Sequence, residues 1–185
     1  MMQMVSLVHQ IAKGCLTKGS RAVDATMGNG GDTEFLCGLV GETGKVYAFD
    51  IQKEAVGHTR KRLEAAGYGE RAELFCCSHA QAAGKIDEEI DLFVFNLGYL
   101  PGGDKRIITR KESTLAAVDG LLGKLKSKGT GLILSYYGHA GGMEEKNGLE
   151  AYLKQLPGKS YDVLQIGMVN RDHFPPVLYV VKKLT

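Results

Sequence analysis

Three glycines and two carboxylates crowd the stretch Asp24-Ala-Thr-Met-Gly28-Asn29-Gly30-Gly31-Asp32-Thr33, a composition suited to wrapping main-chain N–H groups around a small ligand. Gly28, Gly30 and Gly31 let the chain turn tightly and approach that ligand, because a Cβ at those positions would obstruct both. A dinucleotide fingerprint requires its third glycine at position 33, which is Thr33, and Asp32 would set negative charge beside a pyrophosphate. The carboxylate is better matched to a cationic, phosphate-free ligand end.

Asp50 closes a β-branched and aromatic run, at the offset from the glycines where a carboxylate accepts both hydroxyl protons of a ribose. Gln52 follows, within reach of the ribose or a base edge, although it also reads as an ordinary helix-start residue. Ser78 and His79 fall just after the next apolar run, where an adenine would lie; His79 alone is equally compatible with a structural role. Each element is weak singly. In order, at successive strand C-termini, they point to S-adenosylmethionine (SAM) as cofactor.

The reacting end is read from Asn96-Leu-Gly-Tyr99, which resembles the Asn-Pro-Pro-Tyr element of amino-directed methyltransferases with Leu97 and Gly98 in place of the prolines. In that element the asparagine accepts hydrogen bonds from the target amine while the aromatic ring packs on it; the competing reading of Asn96 is a strand-end turn residue. Leu100 to Lys111 is too long and glycine-rich for a simple connector. Its Lys105, Arg106, Arg110 and Lys111 are candidates for phosphate contact and stacking, against the alternative of a solvated basic loop. Tyr136-Tyr137-Gly-His139-Ala-Gly-Gly142 is expected to face the same crevice with two rings and an imidazole. An alkylamine must lose a proton before attack, and His139 and Asp104 are the candidate acceptors.

These residues need a scaffold that brings strand ends together. Short β-branched and aromatic runs alternate with stretches of helical periodicity, the pattern of a mostly parallel sheet between helices. Strands are predicted at Arg21 to Ala25, Lys45 to Asp50, Ala72 to Cys76, Ile90 to Asn96, Gly129 to Tyr136, Tyr161 to Met168 and Val177 to Leu184. Helices are predicted at Val5 to Cys15, Asp32 to Leu39, Lys53 to Ala66, Ser113 to Leu125 and Met143 to Leu156. No helix separates the last two strands, so they are expected to form an antiparallel hairpin at a sheet edge, with Pro175 and Pro176 confined to the loop before the final strand. The whole is an α/β, Rossmann-like class I methyltransferase fold over residues 1–185 in one domain.

With 185 residues, 44% of them hydrophobic, the chain can bury one well-covered core, and a net charge of +2 announces no polyanion partner at the level of the whole protein. Gln3, His9, Gln10 and Lys13 interrupt the N-terminal apolar residues, which fits neither a signal peptide nor a membrane span, so a cytoplasmic location and no membrane partner are expected. Cys15, Cys37, Cys76 and Cys77 show no metal-ligand spacing and read as reduced structural thiols; no metal is predicted.

Taken together, the glycine stretch, Phe49-Asp-Ile-Gln52, Ser78-His79, Asn96 to Lys105, Tyr137 to Gly142 and Pro175-Pro176 resemble a bacterial family labelled rRNA methylases. That family includes tRNA 5-aminomethyl-2-thiouridine methyltransferases of the MnmM (YtqB) type. The resemblance spans essentially the whole chain, with one departure at Asn170-Arg-Asp-His-Phe-Pro175. It implies methylation of an exocyclic amine on the wobble uridine of tRNA, a single-stranded anticodon-loop base that is cheaper to extract than a paired one. It further implies that Asn29, Gly30, Asp32, Thr33, Asp50, Gln52, Ser78 and His79 contact SAM. Asn96 and Tyr99, with Tyr137 and His139, would shape the acceptor pocket. The rival readings are a methyltransferase acting on rRNA or a small-molecule amine, and a nonenzymatic module binding SAM or RNA. The assembly state, homodimer included, stays open.

Overall fold

The computed structural model describes residues 4–98 and 108–185. Seven strands form one sheet: β1 (Arg21–Asp24), β2 (Lys45–Asp50), β3 (Ala72–Cys76), β4 (Ile90–Leu97), β5 (Leu125–Ser135), β6 (Tyr161–Ile166) and β7 (Val177–Lys183). Their order is β3-β2-β1-β4-β5-β7-β6. The first five run parallel, and β7 lies antiparallel to both β5 and β6. The strand sequence reverses between β1 and β4, which opens a crevice at their carboxyl ends, the place where open α/β sheets take ligands.

Among the described residues, six helices flank the sheet: α1 (Met4–Cys15), α2 (Gly31–Val40), α3 (Lys53–Ala65), the single turn α4 (Ala82–Lys85), α5 (Lys111–Lys124) and α6 (Gly142–Lys154). Because successive strand side chains point to opposite faces, the central strands sort their apolar residues into two layers. Val23, Phe93, Phe95 and Ile133 pack with Val118 and Leu121 of α5 and Leu149 of α6. Ala22, Leu92, Val94 and Leu132 pack with Leu36 and Val40 of α2 and with Met4, Val8 and Ala12, the buried stripe of α1. Burial of each large side chain contributes about 1.5–3 kcal/mol, so α1 is an integral part of the second layer.

The elements follow the sequence expectation within a few residues, with three differences. β5 starts at Leu125, which pairs with Ile90, and the strand then joins the rest of the sheet through an irregularity between Ile90 and Leu92; Lys128 sits there at φ 63°. Lys126-Ser-Lys128 has no apolar alternation to betray this. β6 stops at Ile166, ahead of a loop in which His173 and Phe174 both take positive φ. Short 3-10 turns at Gly69–Arg71 and His79–Gln81, and α4, carry too few residues for a periodic signal.

Candidate active site

The loop from β1 to α2 is pinned by its own backbone. Gly30 N–H donates to the Met27 carbonyl at 2.8 Å, Met27 N–H to that of Phe49 at 3.0 Å, and the Thr59 hydroxyl to that of Gly28 at 3.0 Å. Gly30 has φ 80°, and a Cβ there would stand 2.7 Å from Thr59 Oγ1, so no other residue fits without strain. Beneath the loop lies Asp24, fully buried, accepting from Thr33 Oγ1 at 2.7 Å and from Thr26 N–H at 3.2 Å. Burial, and then the neighbouring Asp32 carboxylate, push its pKa up to about 7.

Above the loop opens a cavity of about 570 Å³. Asp50 enters it at the end of β2, one oxygen accepting from Gly28 N–H at 3.1 Å and the other from Gln52 N–H at 2.9 Å. Burial raises its pKa while the backbone donors oppose that shift. The carboxylate is thereby fixed in orientation, with remaining lone pairs able to receive a vicinal diol. His79 lines the cavity edge-on to Phe95, with centroids 5.6 Å apart. Its Nε2 is buried without a hydrogen-bond partner among the described residues, and burial pulls its pKa down to about 4, so the ring is neutral near pH 7. Ser78 Oγ caps the following turn by accepting from Ala80 N–H at 3.2 Å.

At the end of β4 the Asn96 backbone N–H donates to Thr26 Oγ1 at 2.7 Å, and its side-chain Nδ2 donates to Asp32 Oδ2. Asn96 Oδ1 is consequently turned the other way, buried and without a partner among the described residues. The second oxygen of Asp32 receives His9 Nε2, from α1, at 2.6 Å. Gly98 and Thr109 close the far wall: Thr109 N–H donates to the Gly98 carbonyl at 3.0 Å, and Gly98 N–H to Thr109 Oγ1 at 3.0 Å. Thr109 Oγ1 in turn donates to Glu145, a buried carboxylate that also receives Thr114 Oγ1 at 2.6 Å.

The cavity brings together Asn29, Asp32, Asp50, Gln52, Ser78, His79 and Asn96 from the sequence-derived set. Gly30 and Thr33 do not line it; the first packs on Thr59, and the second is buried against Asp24. Of the two tyrosines after β5, Tyr136 lines the cavity, whereas Tyr137 turns edge-on to Phe174 with Lys146 Nζ 5.5 Å from its ring centre. His139 does not line the cavity either; its Nδ1 lies 3.0 Å from the Ala140 carbonyl. Arg110 stands at the N-cap position of α5, exposed and outside the cavity. Tyr99, Asp104, Lys105 and Arg106 lie outside the described residues. His9, Thr109 and Glu145 join the site through partners remote in sequence, which sequence reasoning misses; the signal that His9 offers is a lone histidine among the apolar residues of α1.

This arrangement offers a diol acceptor, a backbone cradle, a neutral ring and an unpartnered carbonyl, which suits a nucleoside ligand beside an N–H-bearing acceptor. Among the described residues, no cluster of three or more His, Cys, Asp or Glu could hold a metal ion, and no helix is long and apolar enough to cross a membrane.

Residues 46–182 match the family model described as “Putative rRNA methylase”. The chain is 35% identical over 187 aligned positions to the tRNA (mnm(5)s(2)U34)-methyltransferase, chloroplastic, of Arabidopsis thaliana, covering 96% of this chain and 68% of that protein. Two crystal structures superpose closely. A Clostridium thermocellum protein described as an rRNA-methylase does so with TM-score 0.97 and 36% identity, over 100% of this chain and 99% of the other. A Streptococcus mutans methyltransferase in complex with SAH does so with TM-score 0.91 and 35% identity, over the same shares.

Proposed function

The chain belongs to the family described as “Putative rRNA methylase”, and from that membership we propose that it methylates the aminomethyl nitrogen of 5-aminomethyl-2-thiouridine at the wobble position of tRNA. It is a SAM-dependent methyltransferase, and the further step is the choice of acceptor. The single observation that carries this choice is Asn96 Oδ1, a buried carbonyl oxygen that has no partner among the described residues, on a side chain lining the cavity. A buried acceptor left unpaired costs about 1–3 kcal/mol, so its natural complement is a donor N–H brought by the substrate. The relative from Arabidopsis, whose name specifies a tRNA wobble uridine, supports an aminomethyl group as that donor.

The bound sulfonium supplies an electrophilic methyl group, and the remaining work is binding and alignment. Asp50 accepts the two ribose hydroxyls, the Gly28 to Gly31 backbone follows the ligand closely, and neutral His79 presents Nε2 toward the base. Asp32 balances the ammonium of the aminoacyl end. Asn96 orients the amine by one N–H so that its lone pair faces the methyl carbon. Tyr136 offers a ring for the extracted base, with Arg110 outside the cavity available to phosphates of the anticodon loop.

The test is nucleoside mass spectrometry of tRNA from cells with and without the gene, followed by incubation of the undermodified tRNA with purified protein and SAM. One methyl group should disappear from the wobble uridine and return on incubation. Methylation of rRNA or of a small amine with tRNA untouched would overturn the choice of acceptor, and SAM binding without turnover on any RNA would overturn catalysis on RNA.

A further inference from the structure

We propose that His9, on the N-terminal helix, is the positioning residue of the acceptor end: it locks Asp32 so that Asn96 presents its carbonyl oxygen to the incoming amine. The inference rests on the amine-methylating reading above and adds to it a residue that lies outside both the glycine loop and residues 46–182. The contacts form one chain. His9 Nε2 meets Asp32 Oδ1 at 2.6 Å, the other Asp32 oxygen accepts from Asn96 Nδ2, and Asn96 Oδ1 is left facing away, buried and unpaired among the described residues.

Hydrogen-bond polarity makes the chain directional. An ionised carboxylate only accepts, so His9 must donate from Nε2 and Asn96 must donate from its amide nitrogen. Rotating the Asn96 amide by half a turn would set its carbonyl against the carboxylate, two acceptors face to face. The orientation of the amide is therefore as firm as that of Asp32. Among the described residues, the further constraint on the first oxygen of Asp32 is His9. The imidazole is itself held flat on Phe35, with ring centroids 3.9 Å apart and planes 10° from parallel. Side-chain exposures of 28% for His9 and 16% for Asp32 keep the pair largely out of bulk water, so the bond is not lost to solvent competition. The apolar stripe of Met4, Val8 and Ala12 anchors α1 to the second core layer, which gives the imidazole a rigid base.

Two substitutions separate the hydrogen bond from the packing. His9→Phe keeps a ring on Phe35 and removes the donor, whereas His9→Gln places an amide nitrogen where Nε2 was. With undermodified tRNA and saturating SAM, His9→Phe should slow single-turnover transfer by about 10–100-fold, the effect of one charge-assisted bond. His9→Gln should recover the rate to within about threefold. In an Asn96→Ala background, His9→Phe should add less than about twofold, since both changes break the same chain. A native rate in His9→Phe, full additivity with Asn96→Ala, or no recovery in His9→Gln at unchanged melting temperature would each overturn the proposal.

A readout free of any acceptor covers the case in which wild-type protein leaves this tRNA unmethylated, a result that would sink the tRNA reading alone. In 15N NMR spectra of the SAM-bound protein, one Asn96 side-chain amide proton should be strongly deshielded. It should move upfield in His9→Phe and return in His9→Gln. An Asn96 amide signal indifferent to His9→Phe would overturn the positioning role.

Discussion

At the cofactor end of the cavity, Asp50 is held by the amide two residues on and by Gly28 of the adjoining loop, whereas at the acceptor end Asn96 is held by a carboxylate 64 residues away in the chain. The same contrast runs through their surroundings. Thr26 N–H reaches Asp24 and Gly30 N–H reaches Met27 within one turn of chain. By contrast, Thr109 needs Glu145 from α6, and Asp32 needs His9 from α1. Bonds to the backbone of the glycine loop, from its own residues and from Phe49, Asp50 and Thr59 beside it, make the cofactor end a motif carried by that loop and the neighbouring end of β2. The acceptor end is assembled from helices on both faces of the sheet, so its geometry depends on packing far from the chemistry. That division also fits the need for a common donor site and a variable acceptor site on one fold.

The sharpest way to break this contrast is Asp50→Ala. Losing two hydrogen bonds to a charged acceptor should weaken SAM binding by about 10²–10⁴-fold, with the transfer rate at saturating SAM held within about threefold. Calorimetry combined with single-turnover assays reads both numbers, and unchanged affinity would remove Asp50 from the cofactor end. Asn96→Ala should give the converse, a transfer rate slowed by about 10–100-fold with SAM affinity unchanged. If it instead weakened SAM binding, the boundary between the two ends would be misplaced. Glu145→Ala sharpens the packing side of the comparison. It strands the hydroxyls of Thr109 and Thr114 and should cost about 1–3 kcal/mol of stability, a fall of roughly 2–12 °C in melting temperature, measurable by calorimetric scan.

What could be read from the sequence follows the same line. β2 carries a β-branched and aromatic run ended by Asp50, β3 a short apolar pair, Leu74-Phe75, before Cys76, and the limits of both strands match the expectation. The fold class followed from five such runs separated by helical periods, and the edge hairpin from the missing helix before Val177. Asp32, Asp50 and His79 could be placed at the cavity because each closes a strand or opens a helix, where side-chain direction is set by the nearest backbone. Thr33 shows the limit of that logic: it is on the same turn as Asp32 but one residue around the helix, and so it faces the buried Asp24. Tyr136 and Tyr137 could not be told apart, because which one faces the crevice is decided at the end of β5 by the packing of Phe174 and Lys146 on Tyr137. The link from His9 to Asn96 had no sequence signal of its own, since it exists only once α1 is docked.

The smallest expected effect concerns two titrating groups that sit together at the cofactor end and act in opposite directions. Asp24, at about 7 in the fold against an ordinary 3.8, keeps a proton that the unfolded chain gives up, so its contribution is full below about pH 4 and is lost as pH rises toward 7. His79, at about 4 against an ordinary 6.5, refuses a proton that the unfolded chain takes up, so its contribution is full above pH 6.5 and is lost as pH falls toward 4. Between about pH 4 and 6.5 each has a limiting slope of roughly 1.4 kcal/mol per pH unit, with opposite sign, and together they leave stability nearly level. His79→Gln should therefore unmask a loss of stability with rising pH across this window, and Asp24→Asn a gain. Urea midpoints at pH 4.5 and pH 6 for the two variants and the native protein decide it. Parallel profiles for all three would mean that neither group is as dry as its place under the glycine loop and against Phe95 implies.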